Sequence, residues 1–152
     1  MKPYSHTQHG PQIYILLAVA LILAVSAFAT WGQHQVGLVL AASGALVFVL
    51  AFCFRSLTVE DEGDVLRARF GPIPLFRKSI AYADMTRVEA TRSRVLDGWG
   101  IHYVPGRGWT YNLWGFDCVE IHTGGSITRV GTDDAKNLEA FLAAKLGEQP
   151  QA

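Results

Sequence analysis

The chain has 152 residues, with 13 lysine and arginine residues balanced by 13 aspartate and glutamate residues. That balance gives no electrostatic reason to expect nucleic acid as a partner, and two cysteines are too few for a disulfide scaffold. Once the strongly apolar first third is set aside, the remaining residues suffice for one modest domain.

Residues 1–12 are polar and are expected to form a cytoplasmic tail. His6 and His9 in this tail have the spacing of a metal pair on a helix, but no third ligand accompanies them, so no metal is expected. Segments 13–31 and 36–54 carry no formal charge. As helices, each reaches roughly the ~30 Å thickness of a bilayer's hydrocarbon layer. Only Gly32, Gln33, His34 and Gln35 separate them, which predicts an antiparallel transmembrane hairpin with its backbone groups satisfied internally. The alternative is a signal peptide, with Lys2 as its basic start and Ala27, Phe28 and Ala29 as a small-x-small cleavage pattern. Its apolar stretch is long for that role, and cleavage would leave a second span directly behind it. Lys2 precedes the first span, Arg55, Arg67 and Arg69 follow the second, and the connector has no lysine or arginine. The basic residues therefore predict a multi-pass protein of the inner cell membrane with both termini cytoplasmic. Gly37, Ala41 and Ala45 in the second span, with Ala20 and Ala24 in the first, are expected to form the seam between the helices. The same small faces also suit a contact between two copies. Cys53 in a span and Cys118 in a strand are expected to be reduced thiols.

Beyond Arg55 the period falls to two, which predicts a cytoplasmic domain over 55–147. Strands are expected at 57–60, 65–70, 76–82 and 86–94. In the second of these Leu66, Ala68 and Phe70 share one face and Arg67 and Arg69 the other. Residues 98–115 read as a hairpin turning at Gly106, Arg107 and Gly108. Strands around Val119 with Ile121 and around Ile127 with Val130 are expected to flank a turn at Gly124 and Gly125. Leu138, Phe141, Leu142 and Leu146 then recur at helical spacing after Thr132, Asp133 and Asp134, predicting an amphipathic helix that covers an open side of the sheets. Gly147 ends it, and 148–152 should fray.

About seven antiparallel strands and a C-terminal amphipathic helix behind a transmembrane α-helical hairpin resemble the bacterial pleckstrin-homology-like (PH-like) membrane proteins. The residues that carry the resemblance are Gly98, Trp99, Gly100 and Ile101, then Trp109, Tyr111 and Asn112, and last Val130, Gly131, Thr132 and Asp133. The resemblance implies a mainly-β PH-like domain and no reaction. Relatives of the fold that hold phosphoinositides do so through a basic first hairpin loop. The corresponding turn here, Asp61, Glu62, Gly63 and Asp64, is acidic.

Two groups of candidate contact residues emerge. Arg67, Arg69, Arg77 and Lys78 would present a basic sheet face to anionic lipid headgroups. Trp99, Trp109 and Trp114, with Tyr103 and Tyr111, supply large amphipathic rings for a protein or membrane interface, or for the domain's own core. His102 and His122 are candidate cross-strand neighbours, and Asp117, Cys118 and His122 are weighed as nucleophilic machinery. Neither set has the partners that metal binding or catalysis needs. The sequence therefore predicts a non-enzymatic binding or scaffold module without cofactors, engaging a protein partner or a second copy. The alternative is a sensor of the membrane surface or of anionic lipid.

Overall fold

The computed structural model describes residues 2–93 and 98–147. The expected strand end at Arg94 and the tail 148–152 lie outside the described residues. Two helices, α1 (Gln12–Ala29) and α2 (His34–Cys53), are long and apolar enough to cross a membrane. They span about 27 and 30 Å at about 1.5 Å per residue. The connector lies slightly earlier than expected, since His34 and Gln35 are already helical. It is tightened by Thr30 Oγ1 donating to the Ser26 carbonyl at 2.8 Å and Gln33 N donating to the Thr30 carbonyl at 2.8 Å.

The seam differs from the expected one. Ala20 and Ala27 of α1 are buried, as are Gly37, Gly44 and Ala51 of α2, whereas Ala24, Ala41 and Ala45 are exposed. The repeat is therefore seven residues and not four. Half-buried Leu16 and Leu23, Leu40 and Val47 complete the alternating three and four spacing of coiled-coil packing. At a contact of this kind the i, i+4 row drifts around the helix, which carries Ala41 and Ala45 off the seam. A Cβ on Gly44 would lie 3.3 Å from the Leu23 Cβ and 3.4 Å from the Ala20 carbonyl oxygen, so the helices touch almost backbone to backbone there.

The strands are β1 (Ser5–His9), β2 (Ser56–Asp61), β3 (Val65–Gly71), β4 (Arg77–Ala81), β5 (Met85–Arg92), β6 (Gly100–Val104), β7 (Gly108–Asn112), β8 (Asp117–Thr123) and β9 (Ser126–Gly131). One sheet has the order β1-β2-β3-β4 and the other β5-β8-β9-β7-β6. The described residues thus hold nine strands where about seven were expected, and the pairing of β7 with β9 is parallel where all were expected to be antiparallel. The extra strand at the chain start is β1, in the segment expected to be a tail. Ser5 to His9 pair with Glu60 to Ser56, so the chain before α1 is hydrogen-bonded to the chain after α2.

Gly124 and Gly125 form the two-residue turn between β8 and β9, both with positive φ, as a type I′ hairpin requires. The parallel pair depends on close approach. A Cβ on Gly108 would fall inside van der Waals contact with the Ile127 carbonyl, and one on Gly131 would collide with the Asn112 side chain.

One core joins the sheets. Leu57, Leu66, Phe70 and Ile80 of the first meet Val119, Ile121 and Val130 of the second, and Leu138, Phe141 and Leu142 of helix α3 (Ala135–Gly147) complete it. The polar start of α3 is ordered by Thr132 Oγ1, which accepts from Asp134 N at 3.1 Å, and by Asn137 Nδ2, which donates to Asp134 Oδ1 at 2.6 Å. Glu139 Oε1 accepts from Ala90 N at 2.7 Å, so α3 covers the open edge of β5 and satisfies one of its backbone donors.

Candidate functional site

The strand register sorts the basic candidates. Arg69 lies opposite Arg77 and Arg67 opposite Ser79, on the outer side of the sheet, while Lys78 lies opposite buried Ala68 and points to the other side. The four do not share one face. Arg67 Nη2 pairs with Glu62 at 2.8 Å and its Nε donates to Ser79 Oγ at 3.3 Å. Arg69 Nε pairs with Glu60 at 2.8 Å. Exposed pairs of this kind add only about 0–1 kcal/mol of stability, but they cancel the charge of both arginines. Arg55, Arg77 and Lys78 have no carboxylate partner among the described residues.

The register also gives each residue a height above the hairpin. His9, Ser56, Gly71 and Arg77 end their strands beside the base of α1 and α2, while Ser5, Asp61, Val65 and Ala81 end them at the far side. Arg77 and Lys78 are thus basal, and Arg67, paired to the β2–β3 turn, is distal.

The aromatic candidates separate the same way. Trp99 and Trp114 stack with ring centroids 4.2 Å apart, and Trp109 packs on Tyr103 at 5.5 Å and on Tyr111 at 6.3 Å. Gly100 pairs with Asn112 and Tyr103 with Trp109, so Trp109 lies about 10 Å along the hairpin from the Asn112 end, at about 3.4 Å per residue. That end is tied to the helices. Gln8 Nε2 donates to the Trp114 carbonyl at 2.9 Å, and Gln12 Nε2 donates to the Leu113 carbonyl at 2.9 Å and the Phe54 carbonyl at 3.4 Å. Trp99 and Trp114 are therefore basal and Trp109 distal. Trp99 and Trp109 remain 49% and 44% exposed, so neither is spent on the core.

Several other candidates fall apart in space. β1 is a strand, so His6 and His9 point to opposite faces. His6 reaches the Asp133 carboxylate instead. His102 on β6 and His122 on β8 have β7 and β9 between them. Cys118 and His122 are four residues apart along β8, about 14 Å. Both cysteines are buried, and neither is in a disulfide. No group of three or more metal-ligating side chains occurs among the described residues. An open hollow of about 510 Å³ beside the start of α3 is lined by Asp117, Asp133, Arg92 and Lys136. Its carboxylates are engaged, Asp117 by Arg92 at 3.2 Å and Asp133 by His6.

Sequence reasoning missed a polar row across the second sheet. His102, Thr110, Arg129, Glu120 and Glu89 are consecutive register partners across all five strands. Buried Arg129 pairs with Glu120 at 2.5 Å and donates to the Arg107 carbonyl, and the other Glu120 oxygen lies 2.8 Å from His122 Nε2. The row lies along one face of the sheet, with Thr110 and Arg129 buried in it, and only the strand order aligns its members.

A second network joins the acidic turn to α3. Asp61 Oδ1 accepts from the Tyr82 hydroxyl at 2.9 Å and from Gly63 N at 3.0 Å, and Lys145 lies 3.6 Å from Asp61 Oδ2 and over the Tyr82 ring. Burial, with the Asp61 carboxylate beside it, raises the Tyr82 pKa. Burial and Asp134, which accepts its proton at 3.1 Å, do the same for Tyr4. Burial alone raises that of Tyr111. These groups stay protonated and structural at neutral pH. Asp61 is thus a buried internal acceptor and not a free charge on a loop.

The arrangement defines a class by its geometry: a mainly-β body built around the base of a two-helix apolar hairpin, with one aromatic group at the base and another at the far end. No protein-family model and no curated protein matches this chain.

Proposed function

We propose that the chain is a multi-pass protein of the inner cell membrane whose hairpin holds a PH-like, non-enzymatic binding or scaffold domain at the cytoplasmic face. The observation that carries this reading is the pairing of β1 with β2. A chain that leaves the domain through α1 and returns through α2 to the strand beside its starting point crosses a bilayer twice and keeps both ends on one side. The distribution of lysine and arginine assigns that side to the cytoplasm. Two sheets closed by a C-terminal helix support the PH-like assignment, and the parallel β7–β9 pair is a departure particular to this chain.

The contact site is the distal end of the second sheet. Tyr103 and Trp109 are exposed there, and β6 is the last strand of its sheet, a place where a partner's strand can add. The partner is a protein, either another chain or a second copy. Confinement to a membrane raises its effective concentration, so a shallow contact is sufficient.

The test is a photoreactive residue in place of Trp109 in the full chain, crosslinked in intact membranes and read by mass spectrometry. A discrete protein adduct is expected. Adducts to lipid alone would overturn the protein-partner reading in favour of a membrane-surface sensor.

A further inference from the structure

The base of the domain carries a second surface, and the inference from it rests on the reading that the hairpin spans a bilayer. Two loops border that base. One lies between β3 and β4, where Phe76 stacks at 5.1 Å on Phe54, the residue that caps the C-terminus of α2. Beside it Leu75 is 64% exposed and Ile73 is also exposed. The other lies between β7 and β8, held to the start of α1 by Gln8 and Gln12. It exposes Phe116, with Trp99 stacked on Trp114 next to it. Tyr14 and Ile15 in the first turn of α1 are exposed as well, and each loop is fastened to a helix end, the first by Phe76 on Phe54 and the second by Gln12 on the Leu113 carbonyl.

An apolar rim left in water is unfavourable in proportion to its area. Attachment to both helix ends identifies what covers it, since the leaflet that surrounds the helices must end against this rim. The charges agree. Arg77 and Lys78 lie at this basal end with no carboxylate partner among the described residues, whereas Arg69, level with Arg77, is paired with Glu60 and the more distal Arg67 with Glu62. Aromatic rings and basic side chains side by side are the composition of a headgroup layer's protein lining.

We propose that the basal rim rests in the headgroup layer of an anionic leaflet, with Ile73, Leu75, Trp99 and Phe116 entering it and Arg77 and Lys78 meeting its phosphates. The domain is then held at a fixed tilt with its distal end turned away from the membrane.

The test uses the full chain in phosphatidylcholine–phosphatidylglycerol bilayers whose acyl chains are brominated near the headgroups. Tryptophan fluorescence is read from variants that keep one tryptophan each, the others being replaced by phenylalanine. Trp31, in the helical connector, reports whether the hairpin spans. The expected result is strong quenching at Trp31 and Trp99 and several-fold weaker quenching at Trp109. A Leu75→Trp variant reports the other loop, at an exposed position that leaves the core untouched, and should be quenched like Trp99. If Trp31 is quenched while Trp99 and Leu75→Trp behave like Trp109, the rim proposal falls and the spanning hairpin stands. If Trp31 is not quenched, both fall. Quenching at Trp99 should weaken in pure phosphatidylcholine or in an Arg77→Gln, Lys78→Gln variant, and an unchanged signal in both would overturn the role given to the anionic headgroups.

Discussion

Gly108 shows how much of this architecture depends on single atoms. It has a φ of +83° and begins β7 where that strand is pressed against Ile127 at the start of β9. A methyl group there meets backbone and not the yielding end of a side chain, and it adds the strain of a left-handed conformation. Gly108→Ala should therefore destabilise the protein by roughly 3 kcal/mol, read as a lower midpoint in chemical denaturation. Gly106→Ala, two residues earlier at φ +75° with nothing within 4 Å of the added carbon, should cost clearly less. Of the candidate residues, Trp109 was left open between an interface and the core, and only its place beside the hairpin turn was legible. The pairing of Arg67 with Glu62 and the turning away of Lys78 were not, because they depend on the register between strands and not on alternation within one.

Elements were easier to read than their contacts. The two apolar helices, eight of the nine strands and the terminal helix follow from period and composition, since each buries a face that its own sequence marks. β1 does not. Ser5, His6, Thr7, Gln8 and His9 hold no apolar alternation, and they become a strand only because β2 offers an unpaired edge beside them. The seam was half legible for a related reason, since small residues occur on more than one face of α2 and the partner helix selects among them. Gly44→Leu and Ala41→Leu separate the two registers. The first drives a side chain into Leu23 and the Ala20 carbonyl, whereas the second points away from α1. In detergent, Gly44→Leu should lower the thermal unfolding midpoint by several degrees while Ala41→Leu leaves it nearly unchanged, and equal losses would return the seam to the i, i+4 row.

At the scale of the whole molecule, the domain is discontinuous in sequence, with the hairpin inserted between its first and second strands. Tyr4 packs on Phe141 at 5.5 Å and bonds Asp134, His6 reaches Asp133, and Gln8 holds the Trp114 carbonyl. The segment from Tyr4 to His9 therefore fastens sheet, helix and loop together. Deleting residues 2–9 should expose the β2 edge and make the domain markedly more sensitive to limited proteolysis, whereas a true tail would be removed without effect. It follows that a fragment starting at residue 56 lacks an edge strand, and binding experiments should use the full chain.

The sequence by itself determined the apolar hairpin, the change of period at Arg55, the strand-rich body and its closing helix. Each is set by residues a few positions apart, through helical or strand repeat and turn chemistry. Only the tertiary structure decided the strand order, the parallel β7–β9 pair, the recruitment of β1, the alignment of His102, Thr110, Arg129 and Glu120 in one row, and the division of the tryptophans into basal and distal groups. Those features join residues as far apart as Tyr4 and Asp134, and a contact at that separation is specified by which surfaces remain to be covered once the local elements have formed.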